Sequence, residues 1–198
     1  MKLMRVIFFF ILIVQSCKTS NNSSEPKWGY VESDLQPHIL IRQPGGTEIR
    51  VCGAHFSEIS WAIKKWASAI GRTFIYNESC SNPTIRSYGR EESFAQSECG
   101  KSGLEGRAFA RPTAVPMQVV DCGFDGDIRL ALLHEVGHLW GLCDQYPGEI
   151  DHCTFSTEPD PDSVMASGQS DSLTSDDIDG IRSLAQKFPE AAAKDQHF

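Results

Sequence analysis

His134-Glu135-Val136-Gly137-His138-Leu139-Trp140-Gly141-Leu142-Cys143-Asp144, in one-letter form HEVGHLWGLCD, places two imidazoles and two carboxylates within eleven residues. Residues four apart on an α-helix share a face, so His134 and His138 can offer both rings to one metal ion. Glu135 lies one step round the helix, close enough to touch a metal-bound water without occupying the metal, where a general base is needed. Gly141 can take the left-handed conformation that ends a helix, turning the chain so that Asp144 returns as a third ligand. Three protein ligands leave a fourth position open, and an open position separates a catalytic zinc site from a structural one. The same segment reads as a core helix, because Leu130, Leu132, Leu133, Val136, Leu139, Trp140 and Leu142 supply ample apolar surface.

Context downstream extends the reading. Asp162 to Gly168 reads DSVMASG, and Met165 follows Asp144 at a distance that lets a tight turn pass under the metal site. The helix with its glycine, followed by Ser163-Val164-Met165-Ala166, resembles the metzincin metalloproteases, in which a Met-turn forms a hydrophobic floor beneath the zinc. Leu173-Thr174-Ser175-Asp176-Asp177-Ile178-Asp179-Gly180-Ile181 is similar to the final helix of matrixin catalytic domains, and Gly106-Arg107-Ala108-Phe109-Ala110-Arg111 resembles their strand beside the substrate cleft. The resemblance implies a zincin-type α+β domain over residues 28–188, with one catalytic Zn2+, peptide substrates held near Ala108, Phe109 and Ala110, and Glu135 as the base. Metzincins usually carry a third histidine where this chain has Asp144, although snapalysin-like members have aspartate there. Two neutral imidazoles and one carboxylate leave a formal charge of about +1, which makes a bound water less acidic than a three-histidine site would. His152 is the rival third ligand. No tyrosine follows Met165 closely, so an astacin-like tyrosine ligand is not expected, although Tyr146 can lie near the cleft.

The amino terminus points to export. Lys2 and Arg5 precede an apolar run from Val6 to Val14 that ends at Gln15-Ser16-Cys17, a signal-peptide pattern too short to be read as a spanning helix. Ser16-Cys17 resembles a bacterial lipobox, which would make residues 1–16 the signal and Cys17 the lipidated first residue; the alternative is an ordinary secretory signal cleaved nearby. Lys18, rather than aspartate, follows the cysteine, and in Gram-negative cells that resembles outer-membrane sorting. Residues 17–27 then form the lipid-bearing cysteine and a polar tether rich in Ser and Asn.

Seven cysteines less Cys17 leave an even six, which in an oxidising compartment implies three disulfides among fifteen pairings. Sequence proximity favours Cys80 with Cys99 and Cys143 with Cys153, leaving Cys52 with Cys122. Arg50-Val51-Cys52-Gly53 resembles the matrixin cysteine switch, but it lies inside the catalytic domain, where a bridge is the expected role.

Short extended segments are expected over His38 to Arg42, Glu48 to Cys52, Thr73 to Tyr76 and Val115 to Val120. Ile59, Ala62, Ile63, Trp66 and Ile70 share one face of a helix from Ser57 to Ile70, with Ser57 as its cap. Asn77 to Gly103 reads as loops or weak strands. Asp121 to Asp127 turns into the His134 helix, with Asp127 as N-cap; Ca2+ is the alternative role for these aspartates, whose spacing does not complete an EF-hand loop. Thr174 and Asp177 have capping-box spacing, and Ile178, Ile181, Leu184 and Phe188 line the closing helix. Residues 189–198 form a tail.

The expected fold is one α+β domain, a mixed sheet carrying the first helix with the metal helix beneath. Formal charge is minus 8, and loss of Lys2 and Arg5 with the signal takes it to minus 10, which argues against nucleic acid as a partner. The expected function is zinc-dependent endopeptidase hydrolysis by a monomeric surface lipoprotein, with Pro147 to Pro161 forming the pocket loop. The alternative is a non-catalytic binding or adhesion module on the same scaffold, which would have no chemical need for Glu135.

Overall fold

The computed structural model describes residues 30–31, 39–102, 106–145, 153–154, 160–167 and 170–190. Strands β2 (Glu48–Gly53), β3 (Ile75–Glu78), β4 (Ile85–Tyr88), β5 (Ala108–Arg111) and β6 (Met117–Asp121) form a five-stranded sheet in the order β3-β2-β4-β6-β5. The first four in that order run parallel, and β5 is an antiparallel edge strand on β6, with Ala108 opposite Asp121 and Ala110 opposite Val119. A separate pair joins β1 (Tyr30–Val31) to β7 (Cys153–Thr154).

Period two in a strand sends alternate side chains to opposite faces. Ile49, Val51, Ile85, Met117 and Val119 therefore share one face, and they pack into the main core with helices α1 (Phe56–Ala69), α3 (Ile128–Leu139) and α5 (Ser175–Lys187). Trp66 fastens α1 to α3: it is fully buried, and its indole N–H donates to the Leu133 carbonyl at 2.9 Å. The other face carries a smaller cluster, Val120 with Ala95 and Cys99 of α2 (Ser93–Ser102) and with Tyr88, Phe94 and Phe109 packed against it. The single-turn α4 (Val164–Ser167) lies between the metal motif and α5. This is the α+β architecture expected, with the His134 helix beneath a mixed sheet.

Several local expectations need correction. Of the extended segment expected over His38 to Arg42, Leu40–Arg42 is instead a 3-10 turn, with Ile39, Leu40 and Ile41 all buried and Arg72 donating to the carbonyls of Ile41 and Gln43; His38 lies outside the described residues. Helix α1 begins at Phe56, with His55 in the left-handed region at φ 61 as its cap position; Ser57 bonds to Glu58 instead. The third strand lies two residues later than expected, and Asn77 to Gly103 contains both β4 and α2.

The disulfides differ from proximity too. Cys52 pairs with Cys80 and Cys99 with Cys122, so the expected Cys80–Cys99 and Cys52–Cys122 bridges are wrong. Register explains this: Val51 lies opposite Glu78, so Cys80 falls beside Cys52, with Cα atoms 4.6 Å apart. Strand β4 lies between Cys80 and Cys99 in sequence, and Cys99 comes to rest over the end of β6. Cys143 is bridged as well. The side chain of Cys153, Tyr146, His152, residues 1–29, the tail from 191 and most of the Pro147 to Pro161 loop lie outside the described residues. Among the described residues, no helix is long and apolar enough to cross a membrane.

Candidate metal centre

Helix α3 is started and stopped by the residues its sequence suggests. Asp127 caps it, accepting from the Arg129 N–H at 2.9 Å. At the other end Gly141, at φ 98, reverses the chain, and the Leu142 N–H closes back onto the Gly137 carbonyl at 3.1 Å. That reversal returns Asp144 to the helix. Its Oδ1 lies 2.8 Å from His134 Nε2 and 3.3 Å from His138 Nε2. One ligating atom from each of the three residues falls within 4.8 Å of the others, and no other such group occurs among the described residues.

The backs of both rings are held. His134 Nδ1 donates to the Val164 carbonyl at 2.8 Å and His138 Nδ1 to the Leu142 carbonyl at 2.9 Å. A ring that donates through Nδ1 keeps its Nε2 lone pair for a metal. With both rings neutral, two nitrogen lone pairs and a carboxylate oxygen converge on one point, an arrangement that only a cation or an added proton stabilises. Two imidazoles and one carboxylate suit zinc. The three residues can therefore hold a metal ion.

Without a cation the proton takes that part. Burial works against protonated His138, but the hydrogen bond to Asp144, the charges of Glu135 and Asp144 and the Leu142 carbonyl outweigh it and raise its pKa to about 9. Burial likewise pushes Asp144 up, yet its hydrogen bonds to His134 and His138 hold it well below the usual carboxylate range. Glu135, 8% exposed, goes the other way. Burial raises its pKa and Asp144 adds to the rise, against the pull of His138, His134 and the Ala110 N–H. A buried carboxyl with raised basicity beside a metal site is suited to proton transfer.

The Ala110 contact places Glu135 at the sheet edge. The Arg107 carbonyl accepts from the Cys122 N–H at 2.8 Å, so the main-chain groups of Phe109 and Arg111 face β6 while those of Ala108 and Ala110 face outward. The three candidate substrate residues thus divide: Ala108 and Ala110 present backbone at the free edge, and the Phe109 ring packs under α2.

Met165 is buried below the helix. Its approach depends on Gly137: a Cβ there would meet Met165 Sδ at 2.3 Å and a Trp66 ring carbon at 3.2 Å. Sequence reasoning missed that role, although a glycine inside an apolar helix is itself the signal of a close approach. Asp177 forms the expected capping box with Thr174 and also reaches the Met165 turn, accepting from Ser163 Oγ at 2.6 Å and the Val164 N–H at 3.0 Å. Of the aspartates before α3, Asp121 accepts from the N–H groups of Gly123 and Phe124 and Asp127 caps the helix.

No family profile matches the sequence, and no curated protein matches it. The crystal structure of myroilysin is similar in fold at a TM-score of 0.42 and 16% identity, over 82% of this chain and 92% of that one. At that level the likeness adds nothing to what the geometry already says.

Proposed function

We propose that this protein is a zinc-dependent endopeptidase of the metzincin type, with His134, His138 and Asp144 as ligands and Glu135 as the general base. The observation that carries the reading is the convergence of two Nε2 atoms and Asp144 Oδ1, with the buried Glu135 carboxyl beside them. Zinc, when bound there, supplies Lewis acidity toward a peptide carbonyl and makes a coordinated water easier to deprotonate. The chain does the rest. The outward groups of Ala108 and the Ala110 carbonyl on β5 pair with an extended peptide, which fixes its main chain and leaves side chains to the pockets. Glu135 takes a proton from the attacking water and delivers it to the leaving amine.

Export completes the proposal. The signal-like Lys2 to Ser16 segment, lipidation at Cys17 and attachment to an envelope membrane accord with bridges at Cys52–Cys80 and Cys99–Cys122, which persist in oxidising compartments. Substrates would then be proteins of the envelope or its surroundings. Cleavage of an unfolded protein mixture, with zinc content measured and with Glu135→Gln and a chelator as controls, tests the activity. Loss of cleavage in Glu135→Gln with zinc retained is the expected result. Stoichiometric zinc without any cleavage by the native protein would favour a binding module instead.

A further inference from the structure

His134 and His138 are the same residue type on one helix, yet the groups behind their rings differ in reach. The Nδ1–H of His138 ends on Leu142, four residues away in its own chain turn. The Nδ1–H of His134 ends on the Val164 carbonyl, thirty residues away. That carbonyl belongs to the peptide unit whose N–H is Met165's, and the Met165 N–H donates to Ser163 Oγ at 3.0 Å. Ser163 Oγ in turn donates to Asp177 Oδ1 at 2.6 Å. The donors all point the same way, from the imidazole through a peptide unit and a hydroxyl to a carboxylate. Hydrogen bonds so aligned polarise one another, and this chain ends on a group able to carry a full negative charge.

We propose that Asp177 is a positioning residue for His134, acting through Ser163 and the Val164–Met165 peptide to fix the Nδ1–H tautomer and strengthen the ring as a metal ligand. The inference rests on the reading of His134 as a ligand. In many metal sites a carboxylate accepts directly from the ligating histidine and raises its basicity; here the carboxylate acts at one remove. Its placement is secure. Asp177 is 2% exposed, and besides Ser163 its carboxylate accepts from the Val164 N–H at 3.0 Å, the Thr174 N–H at 2.9 Å and the Thr174 hydroxyl at 3.0 Å. Ser163 is fully buried. The serine hydroxyl suits the relay because it both accepts and donates, which alanine cannot do.

The connection also gives α5 a part in the site that packing alone would not. Helix capping needs only the Thr174–Asp177 exchange, whereas the relay needs the oxygen that faces Ser163. The two roles can therefore be separated by substitution.

The test measures zinc affinity by competition with a chromophoric chelator, together with 15N resonances of both imidazoles in the zinc-free protein, for the native chain, Ser163→Ala, Asp177→Asn and Thr174→Ala. Ser163→Ala keeps the capping box and should still lower zinc affinity by roughly tenfold, within the range known for such supporting groups. Its His134 resonances should move toward a mixture of tautomers while those of His138 stay fixed. Asp177→Asn should do the same or more, and Thr174→Ala, which leaves the Ser163 bond to Asp177 Oδ1 in place, should lower affinity and move the His134 ring clearly less than Ser163→Ala does. Native affinity and an unmoved His134 in Ser163→Ala would overturn the proposal, as would a loss in Thr174→Ala equal to that in Asp177→Asn, since the effect would then be helix stability. If the native protein takes up no zinc, the ligand assignment fails, and the zinc-free resonances still decide whether Asp177 acts on His134.

Discussion

The two faces of the five-stranded sheet are held by different means. On one face, Ile49, Val51, Ile85, Met117 and Val119 meet α1 and α3 in a continuous core that includes Trp66, Leu132, Leu133 and Trp140, all fully buried. On the other, the cluster buried among the described residues is Ala95, Cys99 and Val120, and disulfides at Cys52–Cys80 and Cys99–Cys122 lie along that side. Burial stabilises in proportion to apolar area, at about 25 cal/mol per Å2, so the thin face has little to draw on. Closing a loop in the unfolded chain stabilises without needing area. The metal ligands belong to the packed face, so their geometry should depend on its packing and be largely indifferent to the bridges opposite.

Five measurements press on that contrast. The largest effect should come from Trp66→Ala, which removes a buried indole, its hydrogen bond to Leu133 and one wall of the Gly137 contact; unfolding in urea should show a loss of about 3–5 kcal/mol, accompanied by weaker zinc binding. A loss under about 1 kcal/mol would break the comparison. Next, replacing Cys99 and Cys122 together by serine should cost about 3 kcal/mol of stability with zinc affinity unaltered. If affinity fell in step, the two faces would not be independent.

Zinc itself should add about 2.7 kcal/mol at a hundredfold excess over its Kd, equally in the native and the doubly substituted protein, as read from urea midpoints. The dependence on pH has a definite sign. His138 is raised from 6.5 to about 9 by its site, so the proton it holds stabilises the metal-free fold fully below pH 6.5, and that stabilisation is lost as pH rises through about 9. Zinc must displace the same proton, and its affinity should climb by about tenfold per pH unit across that window. An affinity flat over the window would contradict the placement of Asp144 against His138. The smallest change is expected from Asp127→Ala, which removes the α3 cap at a cost of about 1 kcal/mol in thermal unfolding; a much larger loss would mean that the turn before α3 supports more than the helix start.

Much of the site was legible because its grammar is local. The spacing of His134 and His138, the reversal at Gly141, the cap at Asp127 and the Thr174–Asp177 box all follow from a helix of 3.6 residues per turn and from the unpaired groups at its ends. Strand β4 and helix α2 were not legible. Ile85–Tyr88 is too short to show a pattern, and α2 has no apolar stripe, being held by Ala95, Cys99 and a bridge to Cys122.

The helix that carries the ligands, its two ends, the turn that returns Asp144 and the start of α5 are thus written in the chain itself, since each depends on residues within a few positions of one another. The tertiary structure alone decided which cysteines pair, why Gly137 must lack a side chain, and that Asp177 reaches His134 through Ser163 and the Met165 peptide. Those outcomes rest on strand register and on the approach of segments tens of residues apart, and no local periodicity encodes which distant partners the packed chain brings together.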